Sequence, residues 1–342
     1  MNTEFVKISP DEGDEKYIKA VELLRDEQVV GMPTETVYGL AGNAYSALAA
    51  ERIFEAKGRP TDNPLIVHIS DFSEIYDLVR AVPEEALKLA DAFWPGPLTM
   101  ILPKSDKVPA RITGGLDTVA VRFPSHPIAQ RLIRLSGFPL AAPSANRSGK
   151  PSPTKAEHVY EDLKGRIPLV IDGGASEEGV ESTVITLAEA TPRLLRPGNV
   201  TVGELRSVLG EVIVDDAVKN PLKEGEKVSS PGMKYKHYSP EAEITLVKGS
   251  YSAFCKYVNE FEADNVYAMV FDNEGQNLNV PFISYGVEDY KMLSHYLFDA
   301  LRELDKNGAE YCFVRCPDED NEDNLAVLNR LLRASGFKVI DL

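Results

Sequence analysis

The sequence is short of the residues on which several kinds of chemistry depend. Its 342 residues include only three cysteines, Cys255, Cys312 and Cys316, an odd number late in the chain that fits neither a disulfide framework nor the paired spacing of a zinc knuckle. Cys312 and Cys316 lie along a run that reads as a strand, so core thiols in a reducing compartment are expected, and no metal site built from protein side chains is predicted. No apolar run reaches the roughly 18 residues that a membrane-spanning helix needs, and the opening MNTEFVKISPDEGDEKYIKA has neither a basic nor an apolar leader segment. A soluble, cytoplasmic protein without membrane association is expected. The G-x-x-x-x-G-K-[ST] loop, the G-x-S-x-G elbow and the H-E-x-x-H motif are missing, which sets aside P-loop, serine-hydrolase and zinc-protease machinery. Basic residues are scarce as well: 37 Lys and Arg face 53 Asp and Glu, a net charge of −16 that argues against a sequence-blind grip on polyanions.

What is present is unevenly spread. Residues 241–342 carry 19 acids against 9 bases, so −10 of the charge resides there. By contrast, Thr118 to Lys155 holds Arg122, Arg131, Arg134, Arg147, Lys150 and Lys155 with no acid. An anionic ligand held locally by an otherwise acidic protein fits that distribution. Length and a hydrophobic content of 43% predict two domains.

Apolar spacing predicts helices over Asp14–Glu27, Leu48–Lys57 and Pro83–Trp94, separated by short strands such as Val29–Met32, Leu65–Ile69, Leu98–Leu102, Val119–Phe123, Leu169–Ile171 and Thr183–Leu187. Strands Thr183–Leu187 and Arg193–Leu195 are too close for a crossover helix, so a mixed α/β sheet is expected. Thr154 with Glu157, and Thr201 with Glu204, have capping-box spacing and predict two further helix starts. Asp215–Lys227 reads as a polar linker running into Ser229-Ser230-Pro231-Gly232. After Pro240, strands and helices alternate regularly, which predicts a small parallel, doubly wound unit; it lacks a G-x-G-x-x-G turn and gives no sign of dinucleotide binding.

Several polar segments stand out against this frame. Pro33–Leu40 (PTETVYGL) follows a strand and places hydroxyls and a carboxylate at its end, unless it is simply a turn. Lys57–His68 combines a helix stop, with Lys57 in the last turn, Gly58 at the left-handed cap and Pro60 blocking continuation, with Arg59 and Asn63, which capping does not require; its two cations suit phosphate and His68 suits substrate orientation, though His68 alone reads more often as a satisfied core histidine. In Thr118–Pro124, alternation sets Thr118, Ala120 and Arg122 on one strand face, where Arg122 is a solvated edge charge or, on its apolar neighbours, a carboxylate clamp. Ala142–Thr154 is small, hydroxyl-rich and runs into a helix start, suited to anionic oxygens or to plain capping. Glu181-Ser182-Thr183 and Arg193–Gly198 are shorter polar pieces of the same kind. Pro231–Pro240 packs tyrosines, a histidine and bases into a linker, as expected of a segment lying against a surface or ligand.

In order, PTETVYGL, KGRPTDNPL with His68, VRFP, SAN-x-SG-x-PSPT, STV, LLRPG and PGMKYKHYSP span residues 33–240, and together they resemble the threonylcarbamoyl-AMP synthase family in its longer two-domain form. The C-terminal unit matches that form by position, length and α/β pattern rather than by motif. The resemblance implies a twisted, open mixed-sheet catalytic domain of YrdC type over 1–213, a linker or lid over 214–240, and a smaller Rossmann-like parallel α/β domain over 241–342. It implies joining of L-threonine, bicarbonate or CO2, and ATP into threonylcarbamoyl-AMP and pyrophosphate, for threonylcarbamoyladenosine modification of tRNAs reading codons that begin with adenosine. Mg2+ would enter with ATP, a tRNA threonylcarbamoyl transferase complex would take the product, and weak tRNA contact is left open.

Carried over position by position, Thr36, His68, Arg122 and Ser182 match threonine-contacting positions. Arg59, Asn63, Thr118, Ala142, Ser144, Ser152 and Arg196 match nucleotide-contacting ones, and Tyr238 is placed with them. Lys57 and Arg59 are the catalytic choice, with Tyr235 and His237 as lid contacts. Two rival readings carry less of the sequence. Carbamoyl transfer would want zinc-finger cysteines and an acylphosphatase-like domain in the same chain. An RNA-binding module would explain the basic stretch but not Lys57–His68.

Overall fold

The protein is described here by a computed structural model over residues 2–221 and 238–342. Two sheets organise it. The larger is eleven-stranded and mixed, in the order Glu4–Lys7, Leu169–Asp172, Val30–Met32, Gly39–Asn43, Leu140–Ala141, Ile66–His68, Thr118–Arg122, Leu98–Pro103, Thr183–Thr186, Arg193–Arg196 and Ile213–Val214. The smaller is five-stranded and parallel in every pairing, ordered Phe282–Ser284, Val266–Val270, Tyr311–Arg315, Glu243–Lys248 and Val339–Asp341. The expected fold class, a mixed-sheet domain followed by a smaller parallel α/β domain, is the one observed.

Helices cover the large sheet according to their apolar stripes. Ala50, Ile53 and Phe54 of helix Ala47–Lys57, Ala86 and Leu89 of Glu84–Phe93, and Leu205 of Val202–Leu209 join one core with Val119 and Val121. On the strand Thr118–Arg122, Ala120 belongs to a separate small cluster with Ile66, Ile101, Val184 and Leu195, so alternation divides the strand as its sequence implies. The second domain has its own core, built around Leu293, Leu297, Leu301, Val314, Val327 and Leu331.

Three local features depart from the sequence reading or refine it. Thr201 and Glu204 form the capping box, each satisfying the other's helix-end donor. Thr154 and Glu157 do not: that helix is Ala156–Leu163 with Lys155 at its N-cap and no side-chain cap. Thr154 lies in a bend before the helix, its carbonyl accepting from Ser176 N while Pro153 O accepts from Tyr38 N, so tertiary pairing delays the helix start. Strand Gly39–Asn43 is absent from the sequence expectations because its glycines disguise it. A Cβ at Gly42 would meet Ala49 and Ile53 at 3.3 Å, so glycine lets the helix pack closely on the strand here. Helix Pro127–Ser136 was likewise unread, although Pro127 at its first position and Ile128, Leu132 and Ile133 on one face mark it.

The domains dock through side chains of the second reaching into the first. Arg302 pairs with Asp162 at 2.8 Å and donates to Pro151 O at 2.6 Å. Asn329 donates to Val218 O, Arg333 to Ala217 O and His295 Nδ1 to Glu177 O. Asp299 receives Lys155 at 2.7 Å and faces His158 at 3.4 Å. Cys255 and Cys312 are buried and Cys316 half-buried, all as free thiols; burial raises the Cys312 and Cys316 thiols above their usual range.

Candidate active site

A cavity opens beside the central strands of the large sheet, with about 50 Å³ of it clear of its own side chains. It is walled by the segments singled out in the sequence. Helix Ala47–Lys57 delivers Lys57 in its last turn and stops at Gly58, which takes the left-handed conformation at φ 64°. Strands Ile66–His68 and Thr118–Arg122 run parallel with His68 opposite Arg122. Strands Thr183–Thr186 and Arg193–Arg196 bring Ser182 and Arg196 to the same place.

Of the expected residues, Thr36, Lys57, Arg59, His68, Arg122, Ala142, Ser144, Ser152, Ser182, Arg196 and Tyr238 line this cavity. Asn63 is buried beside Pro64, which lines it, and Asn63 Oδ1 has no hydrogen-bond partner, but Asn63 is not part of the wall. Thr118 is half-buried at the far end of its strand, outside the lining; four residues of strand put it roughly 13 Å from Arg122. Tyr235 and His237 lie outside the described residues. Of the six bases in Thr118–Lys155, Arg122 alone reaches the cavity; Arg131 is spent on Asp14 and Lys155 on Asp299. The other cations come from elsewhere in the chain.

Each cation has a defined setting. Arg122 donates from Nη1 to Thr36 Oγ1 at 2.7 Å, and its Nη2 lies 2.6 Å from Glu35 Oε1. Each of these nitrogens carries two N–H groups, so a second one on each is left over, enough to receive another carboxylate. Thr34 Oγ1 donates to Val37 O and lies 3.0 Å from Thr36 Oγ1; with its proton committed, Thr34 accepts from Thr36. Lys57 Nζ donates to Ser144 O at 2.5 Å and Asn146 O at 2.7 Å, pinning the serine-rich loop. Arg59 donates weakly to Pro64 O, and its Nε has no partner, a buried donor that a ligand oxygen would satisfy. Arg196 donates from Nε to Ser182 O and from Nη2 to Ser182 Oγ, which lies 2.7 Å from Thr99 Oγ1.

Burial dominates the ionisation of the site. It pulls Lys57, with Arg59 adding to the effect, well below the usual ammonium range, and it lowers Arg196. Arg59 is lowered to about 10 and so remains cationic at neutral pH. Burial, with Arg122 next to it, takes His68 down to about 3, so its ring is neutral and offers one donor and one acceptor. Burial alone would raise Glu35, but Arg122 outweighs it and holds the carboxyl below its usual value.

Glu181 and Glu35 escaped the sequence reading as functional residues. Glu181 stood beside Ser182 in a recognised segment; it lines the cavity and accepts from Ser152 Oγ. Tyr238 lines the cavity in the left-handed region, at φ 64°, a conformation that costs a bulky residue about 1–3 kcal/mol and is kept where surroundings or function impose it.

Comparison with known proteins identifies the family. A family model described as telomere recombination matches residues 22–198, and one described as threonylcarbamoyl-AMP synthase, C-terminal domain, matches residues 200–336. The chain is 47% identical to a threonylcarbamoyl-AMP synthase of Pyrococcus abyssi, covering 94% of each, and 45% identical to one of Bacillus subtilis, covering 96% of this chain and 95% of that one. It superposes on a crystal structure of P. abyssi Sua5 complexed with L-threonine with a TM-score of 0.93 at 44% identity, over 99% of both chains. Both domains are thus accounted for, and the chain belongs to the threonylcarbamoyl-AMP synthase family, a family of ATP-dependent transferases.

Proposed function

We propose that the chain condenses L-threonine, bicarbonate or CO2, and ATP into threonylcarbamoyl-AMP and pyrophosphate. The observation that carries this reading is the convergence of Lys57, Arg59, Arg122 and Arg196 on one buried cavity of a protein whose net charge is −16. Such a site holds anions together, and hydroxyls stand beside the cations. The name of the relatives and the threonine-bound Sua5 structure support threonine as one of the ligands.

On this reading the threonine carboxylate lies on the spare N–H groups of Arg122, and Thr36 or Ser182 reads the side-chain hydroxyl, with His68 alongside. The neutral amine attacks CO2 and releases a proton to solvent, or attacks bicarbonate with loss of water, and in either case leaves a carbamate. A carbamate oxygen then attacks the α-phosphorus of ATP in line, the bond to the bridging oxygen breaks, and pyrophosphate leaves. No protein nucleophile is required; positioning and charge stabilisation supply the rate. Arg59 and Arg196 receive the negative charge that moves onto pyrophosphate, Lys57 holds the loop carrying Ser144, and Ser144, Ser152, Ala142 and Tyr238 line the nucleotide's side of the cavity.

No group of three or more metal-ligating side chains occurs among the described residues, and Glu35 and Glu181 are each committed to an arginine. Mg2+ would enter with the nucleotide, held by phosphate oxygens and water. The product would serve threonylcarbamoyladenosine formation on tRNAs reading codons that begin with adenosine, passing in the cytoplasm to a tRNA threonylcarbamoyl transferase complex. The acidic balance makes any direct tRNA contact a weak one. No helix among the described residues is long and apolar enough to cross a membrane.

The test is pyrophosphate release by the purified protein with bicarbonate and L-threonine omitted in turn and L-serine substituted. Release is expected only with both partners present, and more slowly with L-serine. Release that ignores threonine, or none in any mixture, would sink the reading.

A further inference from the structure

A fifth cation stands behind the cavity wall, and it comes from the other domain. Arg330, on helix Leu325–Ala334, is completely buried. Its guanidinium donates from Nε to Glu181 Oε2 at 2.8 Å and from Nη1 to Pro197 O at 2.9 Å and Asn329 Oδ1 at 3.0 Å. Its plane also lies under Tyr238, with Cζ 5.5 Å from the ring centroid. Glu181 and Tyr238 are both cavity residues, and Pro197 directly follows Arg196.

Glu181 poses a problem for a site that binds anions. It is a buried carboxylate in the wall, and its other oxygen accepts from Ser152 Oγ. Unneutralised, it would repel a polyphosphate and would itself be costly to bury. We propose, resting on the nucleotide reading of the cavity, that Arg330 is a positioning residue of the active site: reaching in from the second domain, it cancels the charge of Glu181 and fixes Glu181, Pro197 and Tyr238 as the wall on which the nucleotide is placed. The second domain thereby completes the catalytic cavity rather than merely adjoining it.

The choice of arginine follows from the geometry. Donors must leave in different directions, to a carboxylate and to a main-chain carbonyl, while a flat face meets an aromatic ring; a lysine supplies the charge but neither the fork nor the plane. Glu181 is faced by Arg330 from its helix, Arg196 from strand Arg193–Arg196, Ser152 from its loop, Lys57 from a helix end and Tyr238. Burial acts to raise its carboxyl, and Arg330 and then Arg196 bring it below the usual value. Without Arg330 the largest lowering influence is gone and Arg196 and Ser152 are left to oppose burial, so the carboxyl rises and the variant should recover nucleotide affinity as pH falls and Glu181 takes up a proton.

The experiment uses the full chain and measures binding of a non-hydrolysable ATP analogue by calorimetry, between pH 6 and 8.5, with thermal unfolding as a fold check. Arg330→Met should weaken binding at least tenfold at pH 8, and less at pH 6. Arg330→Lys should fall between the unaltered protein and Arg330→Met. Glu181 is itself part of the wall, so Glu181→Gln is read only in combination: added to Arg330→Met it removes the uncompensated carboxylate, and the double variant should bind more tightly than Arg330→Met alone. An ion pair with only a structural role would leave the double variant no better than the single one. If Arg330→Met does not fold, Arg330→Gln with and without Glu181→Gln makes the same comparison. A double variant no better than its Arg330 single variant, or a pH-independent loss, would overturn the proposal. Failure of the unaltered protein to bind nucleotide at all would instead overturn the reading of the cavity, and this inference with it.

Discussion

Replacing Arg122 with methionine tests the site and the fold together. Arg122 and Glu35 are each about 4% exposed and 2.6 Å apart. Removing one member of such a pair leaves the other charge buried alone, at a cost of about 3–5 kcal/mol, which for a domain of roughly 150–250 residues corresponds to a Tm of the first domain lowered by roughly 6–20 °C. The pH dependence has a definite sign. In the unaltered protein the carboxyl of Glu35 is held below its usual value, so its stabilisation is full above that value and is lost as pH falls through the depressed one. In Arg122→Met burial, the largest influence, is opposed only by main-chain hydrogen bonds from Ser125 and Glu35, so the carboxyl rises and the variant gains stability as acid neutralises Glu35. The deficit should therefore be greatest near pH 8 and shrink towards pH 4. L-Threonine affinity, measured by calorimetry, should fall by roughly 10- to 150-fold, the value of a charge-assisted contact of about 1.5–3 kcal/mol. Arg122→Lys keeps the charge near Glu35 but not the fork, so it should regain most of the stability and little of the affinity. A stability deficit below about 1 kcal/mol, or one that grows in acid, would refute the reasoning.

His68 makes a separate prediction. With its imidazole lowered from 6.5 to about 3, it should show no protonation by NMR between pH 8 and 5, and its contribution to stability, present above 6.5, should erode as pH falls towards 3, by about 2 kcal/mol at pH 5; a midpoint near 6.5 would contradict the burial argument. Gly179 has φ +77°, and a Cβ there would lie 2.4 Å from His295 Cα and Ser294 O. Gly179→Ala should wedge the domains apart at a cost of about 1–3 kcal/mol and weaken nucleotide binding; a variant with unchanged unfolding and affinity would show that the interface gives without consequence.

Local chemistry was readable where a single segment decides the outcome. The stop at Gly58 that leaves Lys57 in the last helical turn, the box at Thr201 and Glu204, and the separation of Arg122 from Val121 by strand alternation all depend on neighbours within a few residues. What the sequence hid depends on distant partners. Glu181 and Arg330 are 149 residues apart, and nothing near either names the other. Helix Leu325–Ala334 did carry a trace: its apolar residues run around the whole circumference, which implies burial between layers and so gives Asn329, Arg330 and Arg333 buried surroundings. Thr154 shows the opposite case, a valid capping spacing overruled by main-chain pairing with Ser176, and Thr118 shows that a strand can bring one end to a site and leave the other outside.

Beside its side-chain ion pairs, the second domain also grips the first domain and the linker by their backbone: Arg302, Arg330, Arg333, Asn329 and His295 donate to the carbonyls of Pro151, Pro197, Ala217, Val218 and Glu177. A carbonyl is the same whichever side chain its residue bears. Mutational drift in the gripped loops is thus invisible to the partner domain so long as the loops keep their course, whereas the gripping side chains have no such freedom. The joint should accordingly tolerate change unequally, with the catalytic loops free to explore new residues while the donors that hold them stay fixed.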